Sequence, residues 1–394
     1  MNRNKNVRWF YVYRVFTLNH FITAIYVIYL RSLGCSFVTI ASLHLAKDLT
    51  SAILELPLSL ISDRIGHKIV LAIPGACTIL TMLLMLLNPT QLMLYLAFIL
   101  WGIAVAADSG ISDAYLFESV GERNFPKVQS NSYAARQFFG ALFKFVGSFT
   151  YALSTPIPFC LTCVNSTIST ISSFSLEKFN VRVKKSFFSF QAIKKSIASK
   201  DFIAVIAHNT FLIALLGISF TYESVILVDR GLKIEYLGIV GLVKLLFSSF
   251  GSSIAKKFSY LKDVSILYIG IYLISSVAIL ILAQTNSYII SLVALIFLSI
   301  VNGIMLPYKT ILLNKVVKND RATLLSVQAQ TSLILRSIGA LFIGWIADSF
   351  SMERALTVLS ILIATSILFV TSIFRNRING IIQKTVEGAK PLEE

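Results

Sequence analysis

Residues Glu55 to Lys68 read ELPLSLISDRIGHK, and this stretch decides how the rest of the chain is read. An apolar run ends here, a packet of Asp63, Arg64, Gly66, His67 and Lys68 follows, and a second apolar run starts at Ile69. Charge confined to a short turn between two runs of bilayer-spanning length marks a helix–turn–helix unit whose turn lies at the membrane surface. Such a turn can pair with helix ends and hold neighbouring helices in one arrangement.

Composition extends that reading to the whole chain. Of 394 residues, 56% are hydrophobic and only 14% charged, with a mean hydropathy of +0.77. Soluble domains carry about 25% charged residues, so a polytopic membrane protein is the expected class. The net charge of +16 would suit a nucleic-acid binder, so its placement matters. With twelve spans, most lysines and arginines fall in the N-terminal tail, the alternate loops and the C-terminal tail. The opposite loops hold Arg31, Arg230, Lys233 and Arg354. That asymmetry places both termini on the cytoplasmic side and excludes nucleic acid as a partner.

The spans are expected at roughly 10–30, 37–60, 69–88, 91–117, 131–152 and 156–175, then 202–226, 235–255, 264–284, 288–313, 323–347 and 354–374. Turns such as Asn88-Pro89-Thr90 and Gln284-Thr285-Asn286 are too short for anything but antiparallel neighbours. The longest polar stretch is lysine- and arginine-rich and divides the chain. The expected domains are a six-helix half (1–176), a basic cytoplasmic linker (177–201), a second six-helix half (202–375) and a cytoplasmic tail (376–394). The loop GSSIAKKFSYLKD, around Gly251, Lys256 and Lys257, sits where a second copy of the opening stretch would fall. It reads equally well as a plain basic inner loop. Pro57, Pro74 and Pro307, with nearby glycines, are expected to break helices where the backbone lines a cavity. Cys160 and Cys163 have no further ligand-type residues nearby and read as small core residues. The start, MNRNKNVRWFYVYR, lacks a small-residue cleavage site, so the first apolar run reads as a retained helix.

The opening stretch resembles the signature G-x-L-A-D-R-x-G-R-K between helices 2 and 3 of the major facilitator superfamily. Asp63, Arg64, Gly66 and Lys68 match it, whereas Ser59, Ser62 and His67 replace glycine, alanine and arginine. Glu55-x-Pro57 matches a variant found in a bacterial drug and metabolite efflux-like branch. Two further stretches resemble that branch: DSGISDAYLFESV, with Ser109, Gly110, Ala114, Phe117, Glu118 and Ser119 in place, and Arg321-Ala322-Thr323-x-Leu325-Ser326. The resemblance implies an all-α membrane protein of twelve transmembrane helices in two parallel-repeat halves that rock around a midplane site. It implies that Asp63, Arg64, Gly66 and Lys68 form a conformational latch. The fifth span, ARQFFGALFKFVGSF, lacks the glycine-proline signature common in the drug antiporters of the superfamily.

Ionisable residues inside a span are costly and mark interior faces or pathways. Asp108, Asp113 and Asp48 are, in that order, the candidates for carrying protons, because a half-desolvated carboxylate can load and release a proton near neutral pH. His20, His44 and His208 compete for that role. Candidates for lining the substrate cavity are Lys47, Arg136, Lys144, Lys244, Arg336 and Tyr26. Lys47 and Asp48 point about 100° apart on a helix, so each is expected to find its partner on another helix. Arg14, Glu55, Glu118, Lys309 and Glu223 lie near span ends, where snorkelling or loop pairing is expected. Arg136, Gly140 and Gly147 share a face, the pattern of a close-packed seam.

No phosphate-binding loop and no hydrolytic constellation is present in the sequence, so an enzyme or ATP-driven pump is not expected. The expectation is a multi-pass cytoplasmic (inner) membrane protein, without cofactor or metal, that exports a drug-like compound or metabolite by alternating access, driven by protons. Its expected partners are a small-molecule substrate, protons and the lipid bilayer, and it is expected to be a monomer. Import of a small polar or anionic solute with protons is the alternative. A non-transporting receptor or scaffold on the same fold is the third.

Overall fold

A computed structural model describes residues 3–177, 200–258, 264–316 and 321–367. The centre of the expected linker, the C-terminal tail, most of the loop after Lys257, and the side chains of Lys309, His208 and the Arg321–Leu325 pattern lie outside the described residues. Among the described residues the protein is helical throughout. In the first half α1 is Arg3–Phe16, α2 Tyr26–Ser32, α3 Phe37–Ile65, α4 His67–Val70, α5 Ile73–Leu86, α6 Gln91–Asp108, α7 Ile111–Val120, α8 Phe125–Leu153 and α9 Pro156–Phe174. Then come α10 Lys200–Thr221, α11 Glu223–Asp229, α12 Leu237–Phe258, α13 Val264–Gln284, α14 Tyr288–Val316, α15 Arg321–Ser349 and a helix over 352–367. Helix thus overlies each of the twelve expected stretches, and nine of the helices among the described residues are long and apolar enough to cross a membrane.

Their outward faces are apolar too: Ile53, Leu92, Leu153 and Leu246 are more than two-thirds exposed. In water that would be a liability, but against hydrocarbon it is required. Helices in lipid gain nothing from burying leucine away from lipid, so close contact and hydrogen bonds hold them together.

Of the expected proline breaks, that at Pro74 coincides with an interruption, at Leu71 and Ala72, whereas those at Pro57 and Pro307 do not. Pro57 lies inside α3 and Pro307 inside α14, while Pro74 sits in the first turn of α5. A helix can absorb one missing N–H by bending, and Pro at a first turn costs nothing. Among the described residues the first and fourth spans are interrupted, as are the third, at Leu71 and Ala72, and the seventh, at Tyr222. Between α1 and α2 the chain leaves the helix at Thr17 to His20, with Leu18 at φ 55°, and a 3-10 turn covers Phe21–Ala24. Between α6 and α7, Gly110 takes φ 71°, a conformation that a side chain would strain.

The chain forms two compact units. The first comprises 1–35, 42–186 and 233–242. It contains a buried cluster of Phe10, Tyr13, Val70, Leu71, Ile111, Tyr115 and Leu116. The expected seam on α8 is present: a Cβ on Gly147 would lie 1.8 Å from the Phe21 carbonyl oxygen, and one on Gly140 would lie 2.6 Å from Asn19 Oδ1. Small residues there let α8 reach the backbone of the interrupted first span.

The second unit comprises 36–41, 187–232 and 243–394. Ser276 and Ser360 clasp reciprocally, each hydroxyl donating to the other's carbonyl oxygen at 3.1 and 2.9 Å. The Asp348 carboxylate accepts from the backbone N–H groups of Phe37 (2.9 Å) and Val38 (2.8 Å), capping the first turn of α3. Replacing Asp348 by alanine orphans both donors. The expected loss is about 1 kcal/mol, with Asp348→Asn intermediate, read as the thermal unfolding midpoint in detergent.

Candidate functional site

The interruption in the fourth span gathers most of the ionisable groups of the first unit. Asp108 is the last residue of α6, 5% exposed, and both its oxygens are occupied. Oδ1 accepts from the Tyr13 hydroxyl at 3.0 Å and Oδ2 from Arg136 Nη1 at 3.1 Å. The arrangement has a local cause. The C-terminal end of a helix carries partial negative charge, so a carboxylate placed there needs a cation, and α8 supplies Arg136.

Asp113 lies in the first turn of α7, where the helix dipole favours an anion. It pairs with Arg14 Nη2 at 3.0 Å, and Arg14 Nη1 also donates to Ser112. Ser112 in turn donates to the Asp108 carbonyl at 3.0 Å, and Ser109 donates to Glu55 at 3.1 Å. Arg14 is therefore buried and paired, not snorkelling, and its Nε has no hydrogen-bond partner.

Lys47 and Asp48 pair with each other. Lys47 Nζ lies 2.9 Å from Asp48 Oδ1, because the flexible lysine stem spans the angular offset between adjacent positions. The same ammonium sits 5.5 Å from the Trp101 ring centre. Trp101 is also ringed by His20 (5.2 Å), Tyr26 (5.9 Å) and Phe98 (5.5 Å), and the Tyr26 hydroxyl lies 3.0 Å from His44 Nε2. His20 is buried, and its Nδ1 has no hydrogen-bond partner.

The interruption of the first span is held by side chains. Asn19 Nδ2 donates to the Val15 carbonyl at 2.7 Å, Asn165 donates to the Asn19 carbonyl at 2.6 Å, and the Phe21 N–H donates to Thr162 at 3.1 Å. Backbone groups freed in a membrane interior must be met in this way.

The remaining expected residues lie elsewhere. Lys144 is half-buried on α8, where its stem reaches Gly241. Lys244 and Arg336 belong to the second unit. Lys244 pairs with Glu223 and lies 4.2 Å from the Phe220 ring, and the Arg336 stem packs on Gly217. At the turn between α3 and α4 Gly66 has φ 98°, Lys68 is half-buried, and Arg64 is exposed. Among the described residues Asp63 and Arg64 form no ion pair with each other or with a neighbour.

The sequence reading missed Tyr13, Arg14 as a buried partner, and Trp101. One signal was available: Thr17-Leu18-Asn19-His20 interrupts an apolar run with three polar side chains, which marks an interrupted helix.

The family model described as the Major Facilitator Superfamily matches residues 10–332. No curated protein matches the chain. Among solved structures, that of a mutant of the nucleoside transporter NupG aligns with a TM-score of 0.75 at 12% identity, covering 94% of this chain and 100% of that one. A D-xylose-proton symporter aligns with a TM-score of 0.70 at 14% identity, covering 93% and 96%. A bacterial homologue of the human lysosomal transporter Spinster aligns with a TM-score of 0.67 at 12% identity, covering 99% and 98%. At such identities the likeness concerns the fold alone.

Proposed function

We propose that this chain, which belongs to the Major Facilitator Superfamily, is a secondary active transporter that exports a drug-like compound or metabolite across the cytoplasmic membrane in exchange for protons. The observation that supports this most is the Tyr13–Asp108–Arg136 group at the interrupted fourth span. While Arg136 holds Asp108, the carboxylate is neutralised. When Arg136 moves away, a buried carboxylate is left uncompensated, and taking up a proton or a cationic substrate is how that cost is relieved. A proton and a cation competing for one carboxylate is the requirement for antiport. Asp113, held by Arg14, stands beside it as a second proton group.

The charge of the substrate decides direction. An anionic solute would take Arg136 while the proton takes Asp108, and the two would then travel together. The ring of His20, Tyr26, His44 and Trp101 with the Lys47–Asp48 pair favours this second reading, since it offers a stacking surface edged by hydrogen-bonding groups. The nucleoside transporter and the D-xylose-proton symporter that share the fold lend it support.

The test is proton movement in liposomes holding the purified protein under an imposed pH gradient. Pools of lipophilic cations, organic anions, and sugars with nucleosides are added in turn. Proton release triggered by the cation pool supports antiport, and uptake with an anion or sugar pool supports symport. Asp108→Asn is expected to reduce either signal to background. Full proton coupling in that variant would remove Asp108 from the mechanism.

A further inference from the structure

Two polar groups inside the second unit have no hydrogen-bond partner among the described residues. They are the hydroxyl of Thr210 on α10 and the side-chain nitrogen, Nε2, of Gln328 on α15. Thr210 is 1% exposed and Gln328 3%. A hydroxyl in a helix commonly turns back to the carbonyl one turn earlier. Thr221 does so, donating to Gly217 at 3.0 Å, and Ser332 donates to the carbonyl of Gln328 at 2.8 Å. Thr210 makes no such bond.

The packing of α10 on α15 sets the two groups at one level. A Cβ on Gly217 would meet the stem of Arg336 at 2.5 Å, and one on Gly339 would meet Ile218 at 2.7 Å. The Tyr222 hydroxyl donates to the Ala340 carbonyl at 3.0 Å. Position 336 thus stands against 217, 339 against 218 and 340 against 222, so the two helices run parallel. The same register puts Gln328 beside Thr210, at the chain separation of the Tyr222–Ala340 contact. Thr210 lies about 20° around α10 from Gly217, and Gln328 about 20° around α15 from Gly339, so both are on the contacting faces. An amide N–H can donate and a hydroxyl oxygen can accept, yet the two do not bond to each other.

An unpaired polar group in a membrane interior is costly, and two at one level on facing helices are relieved together by a shared partner. We propose that Thr210 and Gln328 are the two walls of a binding site for a single hydroxyl group, supplied by water or by a polar solute. Its oxygen accepts from Gln328 Nε2–H, and its hydrogen is donated to Thr210 Oγ1. The pair selects this ligand chemically. Neither side chain is charged, so an ion would find nothing there to offset its desolvation, and an apolar group would leave both walls unpaired. A group that accepts and donates through one oxygen satisfies the two at once. Arg336 lies two turns further along α15, its stem held on Gly217. The site shares no residue with the groups gathered around Asp108 in the first unit. Holding a hydroxyl of a transported solute is the use it would have under the polar-solute reading above. That use rests on that reading, whereas the site itself does not.

The test is a double-mutant cycle on the full chain, read as the thermal unfolding midpoint in mild detergent. Thr210→Val and Gln328→Met keep the approximate shape of each side chain and remove its hydrogen-bonding atoms. Each single variant is expected to lower the midpoint by about 2–4 °C, because it leaves the opposite wall and the bound hydroxyl short of a partner. The double variant is expected to lose less than the sum of the two, since no orphaned wall remains. A single variant that melts at or above the native midpoint, or a double variant whose loss equals the sum, would overturn the shared site. Repeating the cycle with millimolar sugars and nucleosides reads the source of the hydroxyl. A rise in the native midpoint that the double variant lacks identifies a solute, and an equal response of the two identifies water. The cycle needs no transport, so failure to find proton movement in liposomes leaves the site standing. Proton-coupled transport with an additive cycle removes the site alone.

Discussion

Replacing Arg136 by alanine while Asp108 stays is expected to destabilise the protein by about 3–5 kcal/mol, because it leaves a buried carboxylate without its cation. The effect should fall toward the lower end, since the Tyr13 hydroxyl still donates to Asp108. Removing the charge at both positions tests the cause. The double variant Asp108→Asn with Arg136→Gln has no orphaned charge and keeps hydrogen-bonding groups at both places, so most of the lost stability should return. The measurement is the thermal unfolding midpoint in mild detergent for the two single variants and the double. If Arg136→Ala alone melts like the native protein, Arg136 does not neutralise Asp108, and the exchange mechanism built on that pair fails with it.

A comparably large effect is expected at Gly147. A methyl group there would stand 1.8 Å from the Phe21 carbonyl oxygen and 2.6 Å from its carbon, both backbone atoms that cannot rotate aside. Gly147→Ala must therefore push α8 away from the 3-10 turn at 21–24. The expected cost is about 1–3 kcal/mol, with loss of folded yield on expression. Gly270, inside α13, is the internal control, because a Cβ there meets nothing within 4 Å. Gly270→Ala should be neutral or slightly stabilising, as alanine is the better helix former. Equal stability of the two variants would show that the first span yields to α8 more easily than its side-chain clamps suggest.

The apolar character of the helices and the charged turn after α3 were legible in the sequence because each is a local property. Hydropathy and run length are read from consecutive residues, and a short charged turn between two apolar runs has one physical home. The close seam on α8 was legible for the same reason, since Arg136, Gly140 and Gly147 recur at helical spacing.

What only the tertiary structure decided is which charge meets which. Lys47 and Asp48 pair with each other although helix geometry points them apart, because a lysine stem is long enough to cross the gap. Arg14, expected near the surface, is buried against Asp113, nearly one hundred residues away in the chain. The interruptions at Thr17–His20 and Ser109–Gly110 lie away from any proline, and at the first of them Asn19, Thr162 and Asn165 are in place to meet the freed backbone. Ser62 and His67 each read as a lone departure from a familiar pattern until Gly66 folds one over the other. By itself the sequence determined a helical membrane protein with a charged turn between its second and third spans. The pairing of its buried charges depends on side-chain reach and on contacts between distant segments, and neither is written in any local stretch of the chain.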